Sequence, residues 1–379
     1  MIIKNLRALR LIGLLSLSVA VAACSSSKKK TAPATKSAST TAATAPRPAG
    51  GPPAKKDGMK PYKEVITGKA KSDKGLFTVH KVEDKYFYEI PDSLFGREML
   101  AVTRFVKVPG VDGTYGGEEI NEQVWKWEKR GTQVMIRLQS YSNIAAEGSD
   151  MYESVRNSNL APIVASFDIK SLAKDSAGVV IDVTDFFAKD VNAIGISSGT
   201  KTQYKISRLD DTRSYVDTIK SFPINIEART VKTYFAASPP VDNSLGSMTV
   251  ELNTSMLLLP KVPMKARLYD DRVGYFSSRQ TDYGIDAQRA TVTRYVARWR
   301  LEPKDEAAYA RGELVEPKKQ IVYYIDPATP KKWRPYLIAG VNDWAKAFEK
   351  AGFKNAVMGK IAPTAAQDST WSLDDARNS

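Results

Sequence analysis

"NEQVWKWEKRGTQVMIRLQSY", residues 121–141, decides how the centre of this chain folds. Apolar and polar residues alternate on both sides of Gly131, which predicts a hairpin with the glycine in its turn. Trp125 and Trp127 fall on one face of the first strand. The pattern spreads outward. "LFTVHKVEDKYFYEI" (76–90) alternates around a polar turn at Glu83, Asp84 and Lys85, and "EMLAVTRFVKV" (98–108) reads as a further strand. So do "PIVASFDI" (162–169), "VVIDVTDFF" (179–187), "FPINIEARTVKTYF" (222–235), "SMTVELNTSMLLL" (247–259) and "RYVARWRLEP" (294–303). In the last, Tyr295, Ala297, Trp299 and Leu301 share one face, and Arg294, Arg298 and Arg300 the other. Strands at this density, separated by Gly, Asn, Asp and Pro, predict a mainly β region built as a large antiparallel sheet or sandwich.

The composition shifts after Pro303. "KDEAAYARGEL" (304–314) predicts a short helix, and "IVYYI" (321–325) a strand apolar on both faces and therefore covered on both sides. Pro335 is tolerated only in a helix's first turn, which puts a helix start near Trp333. Leu337, Val341, Trp344 and Phe348 then form one apolar stripe. Gly352 is placed to end the helix, with Phe353 returning to Phe348 in a Schellman motif.

The amino-terminal residues differ from both regions. "MIIKNLRALRLIGLLSLSVAVAAC" has basic residues Lys4, Arg7 and Arg10 before an apolar run too short to span a bilayer, as in a secretory signal. It closes on "VAAC", which resembles a bacterial lipobox. That resemblance implies cleavage before Cys24, lipid attachment at Cys24, and an exported protein anchored to the cell envelope at the outer membrane. Residues 25–60 are Ser, Thr, Ala, Pro and Lys with almost no large apolar side chain, the composition of a disordered tether. Cys24 is the sole cysteine, so disulfides are excluded and stability rests on packing.

The formal charge of +14 points toward nucleic acid until it is divided. Residues 1–60 carry eleven Lys/Arg against one acid; the remainder carries 45 against 41, interspersed. The folded part has no phosphate-binding stripe, and nucleic acid is not an expected partner. The glycine-rich "GVDGTYGGEE" (110–119) is not followed by G-K-[ST], so it reads as a turn.

The order and extent of these segments resemble a bacterial lipoprotein family of zinc-dependent, metzincin-like metalloproteases. "YKEVITGKAKSDKGLFTVHKVEDKYFYEIPDSLFGREML" is similar to its first domain of unknown function. "EEINEQVWKWEKRG", "RNSNLAPIVASFDI" and "VVIDVTDFF" are similar to its second. "VARWRLEPKDEAAYARGELVEPKKQIVYYID" and the helix after it are similar to the opening of its catalytic domain. The resemblance implies a signal peptide over 1–24, a tether over 25–60, a small β domain over 61–97, a β-rich domain over 98–300, and an incomplete α+β peptidase subdomain over 301–379. It also implies a protein or peptide substrate and zinc in the complete enzyme.

Metzincins bind zinc through H-E-x-x-H-x-x-G-x-x-H. This chain contains one histidine, His80, on an alternating strand where a structural role is expected. The expectation is therefore no catalytic residue, no metal ligand and no bound zinc in these 379 residues, with the motif lying past Ser379. Cys24 is the one site residue, for lipidation. Acidic doublets (Glu118–Glu119, Asp210–Asp211, Asp270–Asp271, Asp374–Asp375) point to opposite faces of a strand or sit solvated in loops. Serine nucleophiles lack a motif. A tethered β-sandwich that binds polysaccharide or protein is the alternative, with exposed Trp125, Trp127 and Tyr141 as its platform.

Overall fold

The computed structural model describes residues 58–378 except 111–113, 242–243, 245, 365, 369–370 and 372–374. The signal peptide, Cys24, the tether up to residue 57 and Asp374 lie outside the described residues.

Helix α1 (Tyr62–Val65) leads into strands β1 (Lys71–Lys74), β2 (Thr78–Val82), β3 (Lys85–Pro91), β4 (Glu98–Lys107), β5 (Glu119–Arg130), β6 (Gln133–Leu138) and β7 (Asn143–Ile144). Then follow α2 (Tyr152–Ser158), β8 (Ile163–Leu172), β9 (Gly178–Asp182), α3 (Thr184–Ala188), α4 (Ser198–Gln203), β10 (Ile206–Leu209), β11 (Tyr215–Ser221), β12 (Asn225–Ala236) and β13 (Ser247–Leu258). A hairpin, β14 (Ser277–Asp282) and β15 (Thr291–Val296), precedes α5 (Glu306–Ala310), β16 (Ile321–Ile325), α6 (Arg334–Asp343), α7 (Ala345–Lys350) and β17 (Val357–Ile361).

The mainly β expectation holds. Twelve strands form one antiparallel sheet in the order β1-β2-β3-β9-β8-β6-β5-β4-β13-β12-β10, with β11 also paired to β12. Both expected hairpins are present: Val82 pairs with Lys85 around Glu83 and Asp84, and Arg130 pairs with Gln133 around Gly131. Glu83 has φ +55°, one of the few left-handed non-glycine residues, which the two-residue turn demands.

The boundary expected at 97/98 falls inside this sheet. β3 pairs with β9, while β4, the next strand in the chain, is inserted between β5 and β13. Apolar patterning reports which face of a strand is buried, and it carries no information on which strand lies beside it.

The sheet curls until its ends meet. Leu76 N–H donates to the Phe222 carbonyl (2.7 Å), and Ser221 Oγ donates to the Phe77 carbonyl (2.7 Å). A Cβ on Gly75 would lie 2.5 Å from Ser221 Oγ and 2.6 Å from the Phe222 carbonyl, so only glycine lets the ends approach. The interior is packed solid. Trp125, Trp127, Val134, Ile136, Phe77, Tyr88, Ile90 and Ile181 are completely buried in one cluster, and Phe186 and Phe187 enter it from α3. Trp127 meets Phe77 (5.8 Å between ring centres), Tyr88 (6.2 Å) and Phe167 (5.7 Å), largely edge to face.

Three local expectations need correction. The end of "VVIDVTDFF" is helical, because Phe186 and Phe187 both reach the core from one helical turn, which a strand cannot arrange. The strand over 294–303 stops at Val296. Beyond it, the Arg298 and Arg300 guanidiniums donate to the carbonyls of Lys265 (2.6 Å) and Val262 (2.9 Å). The helix after Trp333 tightens at Trp344, where Trp344 N–H bonds Val341 and Ala347 N–H bonds Trp344, three residues back, dividing α6 from α7.

Two other carboxy-terminal expectations hold. Pro335 sits in the first turn of α6. Gly352 has φ +90°, with Gly352 N–H bonded to Glu349 and Phe353 N–H to Phe348, a full Schellman pair.

Replacing Trp127 by alanine opens a cavity in a filled interior and is expected to cost about 3–5 kcal/mol. Urea unfolding followed by circular dichroism measures it, and a loss below about 1 kcal/mol would contradict the packed interior described here.

Candidate functional site

The sole histidine is buried on the outer face of β2, under α1. Tyr62 Oη donates to Glu89 Oε2 (2.8 Å), and His80 Nε2 lies 3.0 Å from the same oxygen. A carboxylate only accepts, so Nε2 carries the proton, and in the neutral ring Nδ1 accepts the Ser72 hydroxyl at 2.7 Å. Burial, followed by the bond to Glu89, pushes the Tyr62 phenol well above its ordinary value. The order Ser72–His80–Glu89 follows the logic of an activated nucleophile. However, Ser72 lies on a flat strand and lines neither of the two clefts described below. The relay ties β1, β2 and β3 together under α1.

Zinc does not fit these residues. Both nitrogens of the one imidazole are engaged by Ser72 and Glu89, and among the described residues no three His, Cys, Asp or Glu side chains converge.

Two buried charged groups were not singled out by the sequence. Glu227 on β12 accepts from Asn225 (2.7 Å), Asn253 (2.7 Å), Ser255 (2.8 Å) and the Ala376 backbone (3.2 Å). Burial pushes its carboxyl up, and those side-chain donors pull it back. Lys232, on the opposite face of the same strand, donates to the Lys189 carbonyl (2.5 Å). Burial pushes its amine down to about 8, with nearby Asp190 working the other way. Asp190 is itself held by Lys201 (2.7 Å) and Tyr234 (3.3 Å). The signal was present in "INIEARTVK": charged residues on both faces of a strand that packs on both sides.

The acidic doublets are not brought together. Asp270 and Asp271 pair with Arg272 (2.5 Å) and Arg294 (3.2 Å), and Glu119 with Arg104 (3.5 Å). Asp210 and Asp375 are buried rather than solvated. Asp210 closes a turn on Thr212 and Arg213, which hold its carboxyl down at about 2, and Asp375 is bonded to Arg377 and Asn225. The aromatic platform also fails: Trp125 and Trp127 are completely buried, leaving only Tyr141 exposed.

Among the described residues, two clefts on the surface are large enough to matter. One, of about 330 Å³, lies beside α1 and is lined by Lys60, Glu64, Lys85, Asp168 and Asp182 among others. The second, of about 480 Å³, lies at the sheet's closure and is lined by Lys81, Asp84, Tyr86, Thr184, Tyr215 and Asp217 among others.

The third exposed feature is chemical rather than concave. β16 and β17 run parallel, with α6 and α7 between them in sequence, a βαβ unit with its own small core of Ala308, Val315, Phe353 and Ala356. Strand β17 was not read from the sequence. Ile321 and Ile325 are buried, but Tyr323 between them is half exposed, so β16 is not covered on both sides as expected. No residue of α6 is buried; Trp344 is 66% exposed and Tyr336 71%.

Replacing His80 by alanine leaves Tyr62 as the one donor to Glu89 Oε2 and takes the acceptor from the Ser72 hydroxyl; it is expected to cost about 1–3 kcal/mol, read as a shift in the denaturant midpoint. A separate expectation concerns pH. Folded Lys232 releases its proton near pH 8 and the unfolded amine near 10.5. Between those values the unfolded chain binds more protons, so this group makes stability rise with pH across that window. Urea midpoints between pH 8 and 10.5 are expected to rise less in Lys232→Met than in the parent, and identical slopes would contradict the burial of a chargeable amine.

No curated protein and no solved structure matches the chain. Residues 59–108 match the family described as Domain of unknown function (DUF5118), and residues 117–304 match Domain of unknown function (DUF5117), so the two matched domains together supply the strands of the curled sheet.

Proposed function

We propose that this chain is the non-catalytic amino-terminal part of a zinc-dependent metalloendopeptidase, anchored to the bacterial cell envelope through lipid on Cys24 and acting on protein or peptide substrates. The βαβ unit over 321–361 carries this reading. The resemblance implies a strand followed by a long helix; in this unit β16 and the helical segment α6–α7 supply these, with β17 returning parallel to β16. Its apolar residues Trp333, Tyr336, Leu337, Trp344 and Ile361 are exposed, as fits an element built to pack against more structure. The curled sheet would position substrate or occlude the cleft. No hydrolytic step is assigned to residues of this chain, because they do not fit zinc. The alternative of a ligand-binding sandwich loses its aromatic platform to the core.

The purified chain is expected to hold no stoichiometric zinc and to leave casein intact. One tightly held zinc per chain, measured by metal analysis, would overturn the non-catalytic assignment. Sequencing the transcript beyond the Ser379 codon is expected to reveal H-E-x-x-H-x-x-G-x-x-H. A stop codon there, with no companion polypeptide carrying the motif, would overturn the peptidase reading.

A further inference from the structure

The large sheet closes through side chains and loop backbone rather than through a ladder. At one end of the seam Ser221 N–H donates to the Asp73 carboxylate (2.8 Å), beside the Leu76–Phe222 and Ser221–Phe77 bonds. Between residues 81–86 and 214–217 the seam opens into the 480 Å³ cleft. β11 pairs with β12 along one edge only; on its other edge Ser221 is held by Asp73, while Tyr215 to Asp217, where the β11–β12 register shifts, face this gap. The Asp217 carbonyl on that edge is met by the Tyr86 hydroxyl (3.1 Å), a side chain standing where a strand would bond.

An open strand edge is matched in hydrogen bonding by another extended backbone. The cleft also has a sign. Asp84 at the β2–β3 turn and Asp217 on β11 are exposed, and among the described residues neither is in an ion pair, while the Lys81 ammonium lies over the Tyr86 ring (5.1 Å). Tyr215 is 54% exposed, offering an apolar face beside the two carboxylates.

We propose that this cleft binds an extended polypeptide segment, which pairs along the free edge of β11 and presents a lysine or arginine to Asp84 and Asp217. The inference rests on the peptidase reading only for the role of the segment as substrate; the binding itself needs neither zinc nor catalysis. Tyr86 is the exchangeable partner, its hydroxyl yielding the Asp217 carbonyl to the incoming backbone.

Fluorescence anisotropy on the full chain in detergent tests it, with a labelled peptide of alternating threonine, valine and lysine as probe. The lysine peptide is expected to bind at least about tenfold more tightly than its glutamate counterpart, a difference of ~1.4 kcal/mol. N-methylation of alternate backbone nitrogens is expected to abolish binding. The double variant Asp84→Asn, Asp217→Asn is expected to lose about the same tenfold with an unchanged thermal melt, since both side chains are exposed. Equal binding of the lysine and glutamate peptides, or undiminished binding of the methylated peptide or by the double variant, would overturn the proposal. So would displacement of the peptide by a chitin oligosaccharide, which would assign the cleft to sugar. None of these results bears on the zinc and transcript measurements, so the two readings fail separately.

Discussion

A sheet that curls onto itself must fill the space it encloses, and here that space is filled by aromatic rings. Trp127 touches Phe77, Tyr88 and Phe167, while Trp125 and Phe167 both meet Phe186. These rings come from the residue just before β2 and from β3, β5, β8 and α3, so one cluster sets the curvature of strands that are distant in sequence. It also leaves no room for a ligand among these rings, and the two clefts described above both open on the outside. Each large ring buries roughly 150–250 Å², a scale of contact that no surface ion pair of this protein approaches.

Within that cluster the Tyr88 hydroxyl and the indole nitrogens of Trp125 and Trp127 have no hydrogen-bond partner among the described residues, whereas two buried carboxylates sit outside it. His80 and Glu89 lie on the outer face beneath α1, and Glu227 lies on the outer face beneath residues 375–377. In each case a carboxylate out of solvent is surrounded by donors, which is the condition for burying it at tolerable cost. These clusters tie peripheral segments to the sheet, and the donors that hold each carboxylate make them good fasteners and poor metal sites.

Much of the local structure was legible in the residues. The turns at Glu83–Asp84 and Gly131, the start of α6 near Trp333 and the Schellman ending at Gly352 each rest on a few neighbouring side chains, so a short window contains the whole argument. The strand order was not legible, because β3 pairing with β9 instead of β4 depends on contacts about ninety positions apart. The helix hidden in "VTDFF" and the burial of Trp125 and Trp127 followed the same rule: a tertiary neighbour decided between readings that the local pattern left open. The tie of Arg298 and Arg300 to backbone carbonyls, which ends β15, also had no local signal.

The pairing of β3 with β9 has a kinetic consequence. Strands β1 to β3 leave the ribosome first, yet the edge of β3 finds its partner only after four more strands of the same sheet and a helix have been made. Until then the early meander exposes Phe77, Tyr88 and Ile90 with nothing to cover them. Such non-local closure slows folding into the range of milliseconds to seconds and leaves a sticky intermediate meanwhile. Gly75 belongs to the same class of contact, since the approach it permits joins Leu76 to Phe222 across about 145 positions.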